Sequence, residues 1–360
     1  MTMDLTPQQQ LAVKEHLDAV AAILYQNTPP EQLTTLEGIE LAVRQHINQA
    51  VGPQLAPFFV QTITGTVAGY ARHITTGIGP VQITQKQAQI LQLKPGTRLS
   101  PHMEKCCLLV SANVSYQHAE RDIETLTGLR VSHATQQRLV QRQHFELPVA
   151  KEPELVEELS VDGGKVRLRT EPGQACEWRD YKAVRLHGIA TAAMYRDNDG
   201  LVEWVNRQNL ALPVTCLGDG HDGIWNIVER ISRCESRREI LDWYHLKENL
   251  YKVGGSLNRL KRAESDLWRG KAEEAMGRFE GWKAEQVKRF CQYLSKHKAR
   301  IVNYGYLQAE QVCSVGSGAV ESAVKQIDRR LKISGAQWKV ENVPRVLAHR
   351  TAYLNGLLTN

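Results

Sequence analysis

The stretch VGSGAVESAVKQIDRRLKISGAQW, residues 315–338, decides how the rest of the chain is read. Val320, Val324, Ile327 and Leu331 recur at i, i+4, i+7 and i+11, the stripe of a helix that lies on a core. Glu321 sits one residue off that stripe, in the first turn, behind a Ser317-Gly318 pair suited to capping. Lys325, Arg329 and Lys332 follow on the glutamate's side, and Arg330 adds to the basic run. An i,i+4 pair between Glu321 and Lys325, worth ~0.2–0.5 kcal/mol, accounts for one cation of the run. The helix thus offers one carboxylate at its start and surplus positive charge beside it.

Two further acids bear on this helix. Asp162 lies in the middle of ELSVDGGKVRLRT, which alternates like a strand. A charged group among β-branched neighbours is costly unless it is paired, metal-bound or turned to solvent. Asp219 ends the apolar run PVTCLGDG, and parallel-strand ends commonly carry catalytic groups. Either aspartate alone reads as a turn residue beside glycine. Together with Glu321 they make three carboxylates on two strands and a helix, the donor set of a two-metal phosphoryl-transfer site. Mg²⁺ takes oxygen ligands. Two ions ~3.5–4 Å apart clamp the attacking and leaving oxygens, and a basic helix alongside holds a nucleic-acid backbone by charge. Asp222, three residues on, rivals Asp219; the strand-end position favours Asp219. In ILDWYHL, Asp242 and His245 fall at i and i+3 on one helix face. They read either as a capped core pair or as a histidine that holds phosphate or moves a proton. Trp338 either packs in a core or stacks on a nucleotide.

The remaining sequence supplies the frame. Residues 1–60 carry six acids against Lys14 and Arg44, whereas residues 251–300 hold 13 Lys/Arg against 6 Asp/Glu. The net charge of +6 favours a polyanionic partner, although a solvated basic surface reads the same way. With aromatics at 6%, a glycosidase built on aromatic sugar platforms is disfavoured. Seven scattered cysteines, no CxxC pair and no signal-like start predict a reducing cytoplasm, no disulfide framework and no structural zinc. Apolar spacing predicts helices from residue 7 to about 75, and GPVQITQ a short extended segment. Residues 115–143 have the outline of a helix-turn-helix, broken at Gly128 and capped by Ser132. Gln136, Gln137, Arg138 and Arg142 on its second helix are then base-reading candidates; a plain helical hairpin fits equally well. Pro148 to Pro153 reads as a linker. One or two strands are expected in AVRLHGIATAAMY, a turn at Asn198-Asp199-Gly200, and helix almost throughout from Ile224 to Leu307. Helices over 317–333 and 342–357 close the chain. The expected domains are a helical region over 1–100, a DNA-binding segment over 101–150 and an α/β catalytic domain over 151–360.

The motifs VDGGK, LGDGHDGIWN, ILDWYHLKENL and SGAVESAVKQIDRRLKISGAQW resemble those of the DDE transposases of bacterial insertion sequences. The likeness covers about 100–355 and is closest to the ISKra-four family, with kinship to mutator-like transposases. It implies an RNase H-like core whose strand-borne Asp162 and Asp219 and helix-borne Glu321 hold two Mg²⁺ ions, with Mn²⁺ as a substitute. The spacings of 57 and 102 residues fit an all-α insertion at about 246–312 between the second aspartate and the glutamate. An Asp-x-x-His element near the active site, terminal inverted repeats and target DNA as partners, assembly as a homo-oligomer on DNA, and a bacterial nucleoid-associated location are also implied. A catalytically silent, domesticated DNA-binding protein is the alternative.

Overall fold

The computed structural model describes residues 5–150 and 154–358. The second half of the expected linker, residues 151–153, lies outside them. The chain divides into two compact units, residues 1–111 with 116–137, and residues 112–115 with 138–360.

In the first unit the helices Pro7–Gln26, Leu36–His46 and Gly52–Thr64 follow the expected apolar spacing. The helical expectation fails at its end. Ala71–Thr76 (β1) pairs antiparallel with Gly79–Thr84 (β2), which sets Ile74 beside Val81. ARHITT carries β-branched residues only in its second half, Ile74, Thr75 and Thr76, and a partner strand decides it. Ile74, Val81, Ile83 and Ala88 form a small core there. The helix-turn-helix outline is realised as Tyr116–Thr127 and His133–Arg142, with Gly128 at φ +70° and the Ser132 hydroxyl accepting from Thr135 N. Glu120 fixes the turn. It accepts from the His133 backbone N–H at 2.8 Å and from Arg130 Nε at 2.8 Å, and lies 2.9 Å from the His133 ring. The His133 N–H first, then the Arg130 bond, hold its pKa down at about 2. Gln136 departs from expectation. It is fully buried and donates to Val131 O, so it faces the core and no base. The division between the units runs through this second helix.

The second unit is built on a mixed five-stranded sheet. Its strands are Val156–Leu168 (β3), Glu177–Leu186 (β4), Ala190–Met194 (β5), Leu210–Gly218 (β6) and Arg237–Leu241 (β7), in the order β5-β4-β3-β6-β7. β4 and β5 run antiparallel to β3 and to each other, while β6 and β7 run parallel to β3. β3 is therefore the central strand, and Leu159 and Val161 are fully buried on it. Parallel neighbours need crossover connections. The helices Asn198–Asn206 and Asp222–Val228 supply these and bury Leu201, Val205, Ile224 and Ile227 in the larger core. A second core holds Val166, Tyr181 and Ala183 of the sheet against Val320, Ile327 and Leu331 of the helix Gly318–Leu331. Val343 and Leu347 of the helix Val343–Leu354 complete it. The stripe read in residues 315–338 is thus the buried face.

Two local expectations give way in this unit. Asn198-Asp199-Gly200 is the first turn of a helix, because the Asp197 carboxylate accepts from Gly200 N at 2.8 Å. Within the stretch expected to be helical, RREIL forms β7 at the sheet edge. Its charges mask the pattern and are matched there: Glu239 meets Arg237 and Arg300, each at 2.7 Å. The basic segment after β7 is helical as expected, with Leu257–Trp268, Ala272–Gly277, Glu285–His297 and Tyr304–Ala309. Among the described residues no helix is long and apolar enough to cross a membrane.

Replacing Ile327, which is fully buried, by alanine should cost about 2–5 kcal/mol. Lys325→Ala, on the exposed side of the same helix, should change stability by less than about 0.5 kcal/mol. Urea denaturation of the two variants distinguishes this buried face from any other rotation of the helix.

Candidate active site

The register of the parallel strands builds the site. Val161 of β3 stands opposite Gly218 of β6, and Gly218 opposite Leu241 of β7. One residue further along each strand comes Asp162, Asp219 and Asp242. Three aspartates from three distant parts of the sequence therefore share one level of the sheet. Glu321, in the first turn of the helix Gly318–Leu331, joins them across the second core.

The electrostatics are those of crowded carboxylates. Burial first, and then the charges of Asp219 and Glu321, push the Asp162 pKa up. The Gly163 N–H and the His245 ring act against that rise. Asp219 folds into a tight turn: its Oδ1 accepts from His221 N at 2.8 Å, and its carbonyl accepts from Trp225 Nε1 at 2.7 Å. Asp222 points elsewhere and pairs with Lys296 of the insertion. Of the two rivals, Asp219 is the one in the cluster.

Asp242 is fully buried and does more than sit on a helix face. It caps the helix Trp243–Lys252 by accepting from His245 N at 2.7 Å, and it accepts from both the backbone N–H and the hydroxyl of Ser317. The Ser317 hydroxyl therefore does not cap its own helix. It turns to Asp242, with Glu321 Oε1 at 3.4 Å. Burial opposes ionisation of Asp242, but the His245 and Ser317 bonds together bring its pKa below the ordinary carboxylate value. His245 Nδ1 lies 3.2 Å from Asp242 Oδ1 and 3.8 Å from Glu321 Oε1. The Asp242 carboxylate, aided by the charges of Glu321 and Asp219, raises the His245 pKa to about 9. The imidazolium is thus one cation that offsets this cluster.

The donor chemistry suits a hard cation, since Asp162, Asp219 and Glu321 offer oxygens only, and burial with the charges of Asp219 and Glu321 raises the Asp162 pKa. Among the described residues, the side chains whose ligand atoms all lie within 4.8 Å of one another are, however, Asp242, His245 and Glu321. Glu321 leans towards the imidazolium here.

A cavity of about 250 Å³ opens beside Asp162 and Asp219, lined also by Lys165, Lys182 and His221. Lys182 carries no signal in the sequence. It reaches the site because β4 pairs with β3 so that Lys182 stands opposite Gly163. The second glycine of VDGGK has a packing reason: a Cβ at Gly164 would lie 2.4 Å from the Tyr181 hydroxyl oxygen, which donates to Asp328.

The expected polyanion grips divide. Lys325 and Arg329 are exposed. Lys332 pairs with Asp328 at 2.6 Å. Arg330 is a correction, because it is 2% exposed and stacks over Trp338 at 5.0 Å, which removes it from any DNA-facing surface. Trp338 is likewise a packing residue. Its Nε1 donates to Leu331 O, its backbone bridges to β3, and its ring covers the second core. Gln137 is half-buried, and Arg138 and Arg142 are exposed on their helix.

Asp242→Ala should destabilise the chain by roughly 2–4 kcal/mol, combining loss of a helix cap with stranding of the buried Ser317 donors. Ser317→Ala removes one donor and should cost about 1 kcal/mol. Chemical denaturation of both variants, with near-equal values as the contrary result, tests whether Asp242 is the tie between the two helices. In comparisons with known proteins, no family model and no curated protein matches the chain.

Proposed function

We propose that this chain is a DNA transposase of an insertion sequence, with an RNase H-like catalytic core. It cuts at the element's ends and joins the freed 3′-hydroxyls to target DNA. One observation carries the reading: Asp162, in the middle of β3, and Asp219, at the end of the adjacent parallel β6, stand at one level of the register, and the Glu321 charge reaches Asp162. The strand order supports the core assignment, because the first strand of the sheet is central, flanked by two antiparallel strands on one side and two parallel strands on the other. The all-α segment between β7 and the helix of Glu321 supports it further.

Asp162, Asp219 and Glu321 would hold two Mg²⁺ ions, which when bound supply the charge that stabilises the attacking and leaving oxygens of a phosphodiester. The protein's own groups do the rest. Lys165 and Lys182 beside the aspartates attract the phosphate backbone. His245, kept protonated by Asp242, donates to a phosphate oxygen or to a leaving hydroxyl. Asp242 holds that ring and, through Ser317, the start of the Glu321 helix. Exposed Lys325 and Arg329 extend the positive track, and Arg138 and Arg142 offer phosphate contacts at element ends. Because two ends must be joined in one event, a homo-oligomer on DNA is part of the proposal.

The test is a strand-transfer assay with Mg²⁺ on oligonucleotides that carry the element's ends. Asp162→Asn should lose activity by more than the roughly 10–100-fold typical of groups that only support a metal ligand, while end binding persists. Full activity of Asp162→Asn overturns the proposal. End binding by the wild-type chain without any strand transfer favours the silent DNA-binding alternative.

A further inference from the structure

A second cavity, about 350 Å³, lies between the helices Trp243–Lys252 and Glu285–His297. Its walls combine three kinds of group. Tyr293 and Phe290 stand nearly parallel, 20° apart with ring centroids at 6.4 Å. Asn249 and Gln286 bring two side-chain amides, each with a donor and an acceptor. Lys252 and Arg289 bring two cations, each paired with an exposed i,i+4 partner, Glu248 and Glu285. Such surface pairs are worth little and exchange readily for a phosphate. Aromatic face, amide edges and positive charge are the three elements that recognise an unpaired nucleotide. The volume is at the lower end of the ~300–1,000 Å³ of small-molecule sites, enough for one nucleotide and too small for duplex.

The cavity adjoins the acidic cluster. Asn249 is one helical turn beyond His245. Tyr293 lies so close to the backbone after Asp219 that a Cβ at Gly220 would come within 2.2 Å of its ring. The charges of Asp219 and Asp242 both reach the Tyr293 hydroxyl. Tyr293 is thus a wall shared by this cavity and the loop that carries Asp219.

We infer that the cavity binds a single unpaired nucleotide of the DNA strand held at the acidic site, its base against Tyr293, its edge read by Asn249 and Gln286, and its phosphate held by Lys252 and Arg289. The inference rests on the proposed DNA-processing function and adds a ligand subsite to it. Gln286 and Arg289 are exposed, so their replacement leaves the fold intact.

The test uses the full chain in metal-free buffer with a single-stranded oligonucleotide carrying 2-aminopurine, whose fluorescence falls on stacking. Quenching is expected on binding, about 10-fold weaker binding in Arg289→Ala and in Gln286→Ala, and loss of the quench in Tyr293→Leu. An absent quench, or one unchanged in all three variants, overturns the inference. Deoxyadenosine 5′-monophosphate that competes as well as the oligonucleotide, nucleotide for nucleotide, overturns the strand-held form and assigns a free nucleotide. Variant-sensitive quenching in a chain without strand transfer supports the cavity and counts against the transposase reading alone. Normal strand transfer with no quench counts against the cavity alone.

Discussion

The hydrogen-bonded register that aligns Val161, Gly218 and Leu241 across three parallel strands governs everything built on this sheet. A slip of one residue on any strand would turn its aspartate to the opposite face. Burial on both sides prevents that slip, since Leu159, Val161, Leu217, Ile240 and Leu241 are all fully enclosed. Placing Asp162 in this cluster costs it burial first and then repulsion from Asp219 and Glu321, visible in its raised pKa. That repulsion is tolerable because two devices oppose it, one cationic and one made of hydrogen bonds.

The cationic device is His245 and the hydrogen-bonded one is Asp242. Asp242 is the buried carboxylate that ends β7, caps the following helix and grasps Ser317 at the start of the Glu321 helix. Strand, helix and the distant glutamate are thereby joined through one side chain. The insertion braces the same region from outside. Lys296 takes Asp222, Tyr293 seats on Gly220, and Arg300 ties Glu239 and Glu229 while covering the Trp225 ring at 4.0 Å. The helical segment that interrupts the core is thus the support of the loop that carries Asp219.

The parts of this arrangement legible in the sequence were those with a strong local period. The stripe Val320-Val324-Ile327-Leu331 announces both a helix and the position of Glu321 on its rim, and the alternation around Asp162 announces β3. Asp219 was readable from the glycine that ends its strand. What was hidden depends on pairing between distant segments. RREIL is a strand only because β6 offers it a partner, and Lys182 belongs to the site only through its register with Gly163. Arg330 read as a surface group because a cation looks exposed in sequence, whereas here it stacks on Trp338, whose core alternative is the one realised. Gln136 misled for the same reason, since its buried amide N–H donates internally to Val131 O.

The central claim is that carboxylates brought together by strand register hold divalent metal. Titration of the purified chain with Mn²⁺, followed by the loss of its free-ion paramagnetic resonance signal, tests it most directly. Two ions per chain are predicted for the wild type, with binding weakened by roughly 10-fold or more in each of Asp162→Asn, Asp219→Asn and Glu321→Gln. Mn²⁺ binding that is absent from the wild type, or that survives unchanged in all three variants, would contradict the account.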